Sequence, residues 1–437
     1  MRRVPGLVAH RHSTRSSDND AVATCSPDGR SHRRDPGPAH RITGLRCRLR
    51  PTPTPVGGPA SRASTPAANG GLTVKDFDVL GPLDQNSHVA ARDNGQSILY
   101  QGKSYWFFDD TIETDPDDFL TSTAAVTSDL NASDNIALHS TTFASEADTG
   151  APTEFVPVTP TEQAFQDAHA SADCTGSTDP NCGTVFGFWP GSAVADPVRH
   201  RILVFEGKLC RGGPDTGPCA SGFIGQQIGS GIVSIDMRTK TATRMLVQHQ
   251  DPALSSPEGA DGRSSSARAR SGATAAPCSS GTKLYAYGGC DDDHACGVAR
   301  VPISRVNDRA AWSFYTGTVD GRARWSSDET KAVTDMQGGA AGETVQYDAT
   351  THQYMNTFEP ALSDQVQFQT APTPWGPWST PTDLFTAQKS TAVNYAAFAH
   401  PEYTTNHGMT RYYTYYSSET GAQMLVKVDF TLPHRRG

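Results

Sequence analysis

One unit, repeated five times, constrains this chain more than any other feature. It reads as a small or polar run, an apolar strand, a turn, and a second strand rich in Tyr, Phe and Leu. It appears as GQSILYQGKSYWFFDDT, GSAVADPVRHRILVFEG, GATAAPCSSGTKLYAYGG, GETVQYDATTHQYMNTF and AAFAHPEYTTNHGMTRYYTYYS, starting near residues 95, 191, 272, 342 and 396. β-Branched and aromatic residues bounded by Gly, Pro, Asn or Asp mark strands and turns. Similar runs at Ile136–Phe143, Gly231–Asp236, Trp312–Thr316, Gln365–Thr370 and Gln423–Phe430 predict further strands. One helix is predicted, over Pro160–Ala170. So many strands with so little helix exclude a βαβ fold. Of a sandwich, a barrel or a propeller, five unevenly spaced units favour an all-β, five-bladed β-propeller, whose radial packing protects strand edges.

Charge divides the chain in two. Of the net −9 over 437 residues, residues 1–70 hold 12 basic and 4 acidic side chains, leaving 25 basic against 42 acidic in the rest. Residues 1–71 are rich in Arg, Ser and Pro, residues 1–70 hold no Phe, Trp or Tyr, and the stretch ends in a PTPTPVGGPASRASTPAANGG linker. Such a stretch buries too little apolar surface to offset its ordering entropy, so it is expected to be a disordered extension before a domain at 72–437. The acidic domain argues against nucleic acid, which needs a basic face. No apolar run is long enough to span a membrane. Val4–Ala9 is too short for the core of a secretory signal and is broken by Pro5 and Gly6. Export by another route, or a start codon set in the wrong place, remain the readings, the second preferred.

Export is favoured by the cysteines. Cys174 and Cys182, Cys210 and Cys219, and Cys290 and Cys296 bound three short loops among Gly, Pro, Asp and Ser. Loop-stapling disulfides in an oxidising compartment are expected; zinc would call for CxxC or HxxxH spacing, which is absent. Cys278 is left over, with Cys25 and Cys47 in the extension. The run Asp291–His294 reads as a solvated loop, because a calcium loop needs alternating oxygens and a distant bidentate acid. GxSxG, P-loop and dinucleotide-binding motifs are absent. No cofactor is expected, a structural cation in the central channel being left open, and the chain is expected to be a monomer.

ARDNGQSILYQGKSYWFFDDT resembles the opening blade of an actinobacterial family first catalogued as a domain of unknown function, whose characterised members are endo-acting D-arabinan hydrolases with five-bladed propellers. Asp110 and Thr111 match the family's Asp-Thr, while Asp109 stands where Gly is usual. EFVPVTPTEQAF leading to FGFWPGSAV, with Glu162, Trp189 and Pro190, resembles the next segment. APTPWGPWSTP and FAHPEY followed by RYYTYYS resemble later turns and the last blade. The resemblance spans about residues 75–431, carried by the order of the motifs more than by any one of them. It implies a secreted glycoside hydrolase acting on a furanose-containing polysaccharide such as arabinan, or on a cell-wall glycan. The alternative is a non-catalytic propeller that binds carbohydrate or a cell-surface partner, since fold alone does not carry function.

Glycoside hydrolysis generally uses two carboxyl groups, one protonating the leaving oxygen and one activating water or attacking the sugar. Inner strands of different blades converge on one mouth of a propeller, so acids at their starts are the candidates. Asp93, before the Gly102-Lys103 turn, resembles the general base of arabinanase-like propellers. Glu343, directly after Gly342, resembles the general acid, and Asp110 is a candidate to tune a neighbour's pKa. Each also has a plain reading as a turn, edge or solvated carboxylate. Trp189 is the best candidate to stack on a sugar face, with Glu162 and His400 as further substrate-binding candidates. Glu162 reads more readily as a helix N-terminal charge, and His400 more readily as a structural histidine. Glu206 and Glu359, after outer aromatic strands, read as structural.

Overall fold

The computed structural model describes residues 71–432 apart from 115–117, 148, 215–216, 218, 220–224, 246–272, 279–280 and 292–293. Residues 1–70 of the extension expected to be disordered lie outside the described residues, as do Asp292 and Asp293.

The fold is a five-bladed β-propeller. Blade 1 runs outward through Val89–Tyr100, Lys103–Glu113, Thr123–Thr127 and Ser140–Thr141, and blade 2 through Val185–Asp196, Arg201–Arg211, Gln226–Asp236 and Thr241–Arg244. Blade 3 begins with Ala273–Cys278, Gly281–Gly288 and Ala295–Pro302; blade 4 holds Glu343–Asp348, Gln353–Phe358, Gln365–Ala371 and Thr382–Thr386. Blade 5 holds Asn394–Ala399, Thr410–Ser417 and Ala422–Thr431. The five first-named strands touch one another in a closed cycle, 1 to 2 to 3 to 4 to 5 and back to 1. The predicted helix is present as Pro160–His169, between blades 1 and 2.

The outermost strand of blade 5 comes from the far end of the domain. Thr73–Pro82 pairs antiparallel with Ala422–Thr431, Val79 opposite Val426. The ring is thus shut by main-chain hydrogen bonds between its first and last strands, a pairing no local sequence pattern announces.

Each blade is covered on both faces, so its second strand reads as a continuous apolar run rather than an alternation. In Lys103–Glu113, Tyr105 and Phe107 pack into the core shared with blade 2, together with Phe186, Phe188, Ile202 and Val204. Trp106 and Phe108 point the other way, into the core shared with blade 5, against Tyr403, Tyr412 and Leu425. Arg201–Arg211 behaves alike: Ile202 and Val204 face blade 1, whereas Leu203 and Phe205 face blade 3. Two more cores join blades 3 and 4 and blades 4 and 5. Each aromatic side chain so buried contributes about 1.5–3 kcal/mol, and the five interfaces together hold the ring.

Disulfides join Cys174 to Cys182, Cys210 to Cys219 and Cys290 to Cys296, the three pairs expected from spacing. Cys278 ends the inner strand of blade 3. Among the described residues no helix is long and apolar enough to cross a membrane.

Candidate functional site

Asp93 and Asp110 meet because the first hairpin of blade 1 is irregular. Its register steps from Arg92 opposite Thr111 to Asn94 opposite Phe108, so Asp93 faces the Asp109–Asp110 pair, and a further step follows before Gln96. Bulges re-aim side chains in this way. Asn94 has φ of 65° and Gly95 has φ of 100°. A Cβ at Gly95 would come within 3.2 Å of the Phe108 ring and 3.3 Å of Gln423, so a side chain there would be tight as well as strained in conformation.

Blades 2 and 5 complete the site. Tyr395, second residue of the inner strand of blade 5, donates its hydroxyl to Asp93 Oδ2 at 2.7 Å. Trp189, on the inner strand of blade 2, donates its indole N–H to Asp110 Oδ1 at 2.8 Å. Arg211, last residue of the second strand of blade 2, donates to both Asp110 oxygens, at 2.9 and 2.8 Å. Its guanidinium lies 5.2 Å from the Phe119 ring centroid and 5.4 Å from that of Trp189. The preceding residue, Cys210, is disulfide-bonded to Cys219, which anchors the chain just beyond Arg211. Tyr416 stands edge-on to Tyr395, ring centroids 5.0 Å apart.

Asp93, Trp189, Glu343 and Tyr395 all lie on the starting halves of inner strands. Neighbouring inner strands advance together: Asn94 donates to the Pro190 carbonyl and Ser192 to Gln96, each at 2.7 Å. The Asp93–Asp110 cluster therefore sits toward the end of the ring where inner strands begin.

Electrostatically the two carboxyls differ. Asp93 is pushed up to about 7, by burial first and then by the Asp110 charge; the Tyr395 hydroxyl, the Asp110 amide and Arg211 draw it down. Asp93 Oδ1 is buried without a side-chain donor. Asp110 instead receives charge-assisted hydrogen bonds from Arg211, which stabilise a carboxylate. Burial and the charge of Asp93 hold the Tyr395 phenol far above its ordinary value, and burial with Asp93 and Asp110 pushes Tyr416 up to about 12. Both phenols remain donors.

The other three candidates occupy three different settings. Glu343 opens the inner strand of blade 4 and is 1% exposed. Its Oε2 accepts from the Gly339 amide at 3.4 Å, and its charge acts on Tyr287 in the core between blades 3 and 4. Glu162 caps its own helix reciprocally with Thr159 and is fully buried. It pairs with Lys208 at 2.5 Å and Arg244 at 2.8 Å, and Arg244 also reaches Glu206 at 3.1 Å. Burial alone would raise the Glu162 carboxyl; Arg244, Lys208 and the Thr159 amide overcome that and hold it below its usual range. His400 is buried between blades 1 and 5, stacked on Trp106 at 4.2 Å, with Ser97 at 2.7 Å and Thr414 at 2.8 Å on its two ring nitrogens. Burial pushes it down to about 3, so it is neutral at physiological pH.

Three residues of the cluster escaped sequence reasoning: Arg211, Tyr395 and Tyr416. Arg211 carried a faint signal, a basic residue directly after a loop-stapling cysteine. Tyr395 lay one residue before the fifth unit. No group of three or more His, Cys, Asp or Glu side chains suited to a metal ion occurs among the described residues.

Several solved structures are similar to this chain. The protein is similar to an exo-beta-1,3-galactanase from Phanerochaete chrysosporium, at 10% identity over 81% of this chain and 64% of that one, with a TM-score of 0.43. It is similar to a GH43_1 enzyme from Xanthomonas citri complexed with xylose, at 11% identity over 82% and 90%, TM-score 0.38. A family 117 glycoside hydrolase from Zobellia galactanivorans matches at 9% identity over 83% and 92%, TM-score 0.37. Likeness at this level concerns the fold alone. No curated protein matches the sequence. Residues 242–425, from the last strand of blade 2 through most of blade 5 and so including Tyr395 but not Asp93, match the family model described as Domain of unknown function (DUF4185).

Proposed function

We propose that this protein is a secreted glycoside hydrolase that cleaves a furanose-containing polysaccharide, arabinan in particular, with Asp93 and Asp110 as its working carboxyl pair. The observation that carries the reading is the pairing itself: two carboxyls from adjacent strands, in unlike environments, beside Trp189 and Tyr395 at the end of the ring where inner strands begin. Environments that separate two neighbouring acids are what divided acid and base roles require. The resemblance of the opening blade to D-arabinan hydrolases supports the substrate class, and three disulfides support an oxidising compartment.

In this reading Asp93, with a carboxyl near 7, gives its proton to the glycosidic oxygen as the C–O bond breaks. Asp110, kept as a carboxylate by Arg211 and Trp189, takes the proton of the attacking water. Trp189 and the two tyrosines offer ring faces for the C–H side of a sugar. This reassigns Asp93 from the base role that its sequence position suggests. Glu343 stays in the test as the alternative acid.

The test is product release from a panel of arabinans, galactans and xylans by wild type, Asp93→Asn, Asp110→Asn and Glu343→Gln. Loss on arabinan in both aspartate variants, with Glu343→Gln active, supports the pair. Full activity of Asp93→Asn ends the assignment. Tight glycan binding with no hydrolysis by wild type supports the non-catalytic binding propeller instead.

A further inference from the structure

Where blade 4 meets blade 5, two buried oxygen-bearing side chains lack hydrogen-bond donors. Glu359 directly follows the second strand of blade 4 and is 5% exposed, and neither of its carboxyl oxygens has a side-chain or main-chain donor at ordinary geometry. Burial and then the charge of Asp364 push it up to about 8, with the Ala397 amide acting the other way. Asn394 opens the inner strand of blade 5 and is 4% exposed. Its amino group donates to Asp364 Oδ1 and to the Gln388 carbonyl, both at 2.9 Å. Those two acceptors fix the orientation of the amide, because a flip would set oxygen against two oxygens. The Asn394 Oδ1 is thereby left buried with no donor. Asp364 and Glu359 both push up the Tyr415 phenol, after burial, and its hydroxyl accepts from the Gln388 amide at 3.1 Å.

The site is thus rich in oxygens: the buried Glu359 carboxyl, a buried amide oxygen, the Gln388 carbonyl and the carboxyl of exposed Asp364. Leaving buried acceptors unmet is costly. The unmet oxygens are those of Glu359 and Asn394, beside Asp364, and one bound cation would answer them. A hard divalent cation takes only oxygen ligands, tolerates irregular geometry in the case of calcium, and completes its shell with water. The absence of sulfur or imidazole from these donors argues against a softer transition metal.

We propose that Glu359, Asn394 and Asp364 form a calcium site that ties blade 4 to blade 5. Asn394 directly precedes Tyr395 on the inner strand of blade 5, but the test reads calcium binding and stability rather than hydrolysis, so the site survives or fails independently of the hydrolase reading.

The test uses the full-length protein stripped with EDTA, titrated with calcium chloride, and followed by thermal unfolding and calorimetry. Wild type is expected to gain about 3–6 °C in midpoint at saturating calcium. Glu359→Gln, which keeps the shape without the charge, is expected to lose that gain. Asp364→Asn, at an exposed position, is expected to bind calcium at least roughly tenfold more weakly. If Glu359→Gln does not fold, the Asp364→Asn isotherm decides. A wild type unmoved by calcium, magnesium or manganese overturns the site, as does an equal calcium response in wild type and Asp364→Asn.

Discussion

Tyr395 donates its hydroxyl to Oδ2 of Asp93 at 2.7 Å, joining the innermost strands of the last and first blades across 302 positions of sequence. That bond favours the ionised form of Asp93, against burial and the Asp110 charge. Tyr395→Phe removes it, so the Asp93 pKa should rise further. If Asp93 is the proton donor, the alkaline limb of the kcat/KM profile on arabinan should move up by roughly one pH unit. A limb that stays in place, or moves down, removes Asp93 from the donor role.

Asp93 should also cost stability. A carboxyl raised from its unfolded value to about 7 binds its proton more tightly when folded. Its stabilising contribution is complete below the unfolded pKa and is lost as pH rises from about 4 through 7. Asp93→Asn should therefore unfold at higher denaturant than wild type at pH 8, by on the order of 2 kcal/mol, with the gap closing near pH 4. Urea titrations at the two pH values measure it; a variant less stable at pH 8 would contradict the electrostatic picture of the site.

The Glu162 network has the opposite sign. Its depressed carboxyl pKa stabilises the fold above the unfolded value and gives that up as pH falls through the folded one. Arg244→Met leaves Glu162 and Glu206 buried with one cation fewer. We expect a loss of about 3–5 kcal/mol at pH 7. The acid-unfolding midpoint should move to higher pH, followed by tyrosine and tryptophan fluorescence. An unchanged acid midpoint would show that Lys208 alone holds Glu162.

Ring closure rests on the strand Thr73–Pro82. Truncation through Pro82 strips the outer strand from blade 5 and uncovers the edge of Ala422–Thr431, an invitation to aggregation. Such a chain should lose its cooperative thermal transition or be recovered as aggregate, whereas Phe107→Ala, in the core between blades 1 and 2, should remain folded with about 3–5 kcal/mol less stability. A truncated monomer with the wild-type midpoint would refute closure by this strand.

The five units, their order and the three disulfides were legible because each depends on short stretches of chain. YWFF in blade 1 announces a strand buried on both faces before anything is known of what covers it. The helix at Pro160 was legible from its first turn, its Thr159 cap was not, and it is found one residue shorter than expected. Cysteines separated by a few loop residues have little choice of partner.

Which acids would meet was not legible. Asp93, Asp110 and Glu343 lie on strands and Glu162 in a helix, and nothing in the local pattern says which of them come together. The steps in register around Asn94 turn Asp93 toward Asp110, and the second strand of blade 2 carries Arg211 to the same place. Glu343 and Glu162 instead point into interfaces between elements, where Tyr287 in one case and Lys208 with Arg244 in the other surround them. By itself the sequence determined that this chain makes five aromatic-rich sheets, because strand formation and burial on both faces are written in period and composition. Only the closed ring decided which side chains share a site, since that depends on how the sheets turn about a common axis and on a first strand that returns to pair with the last.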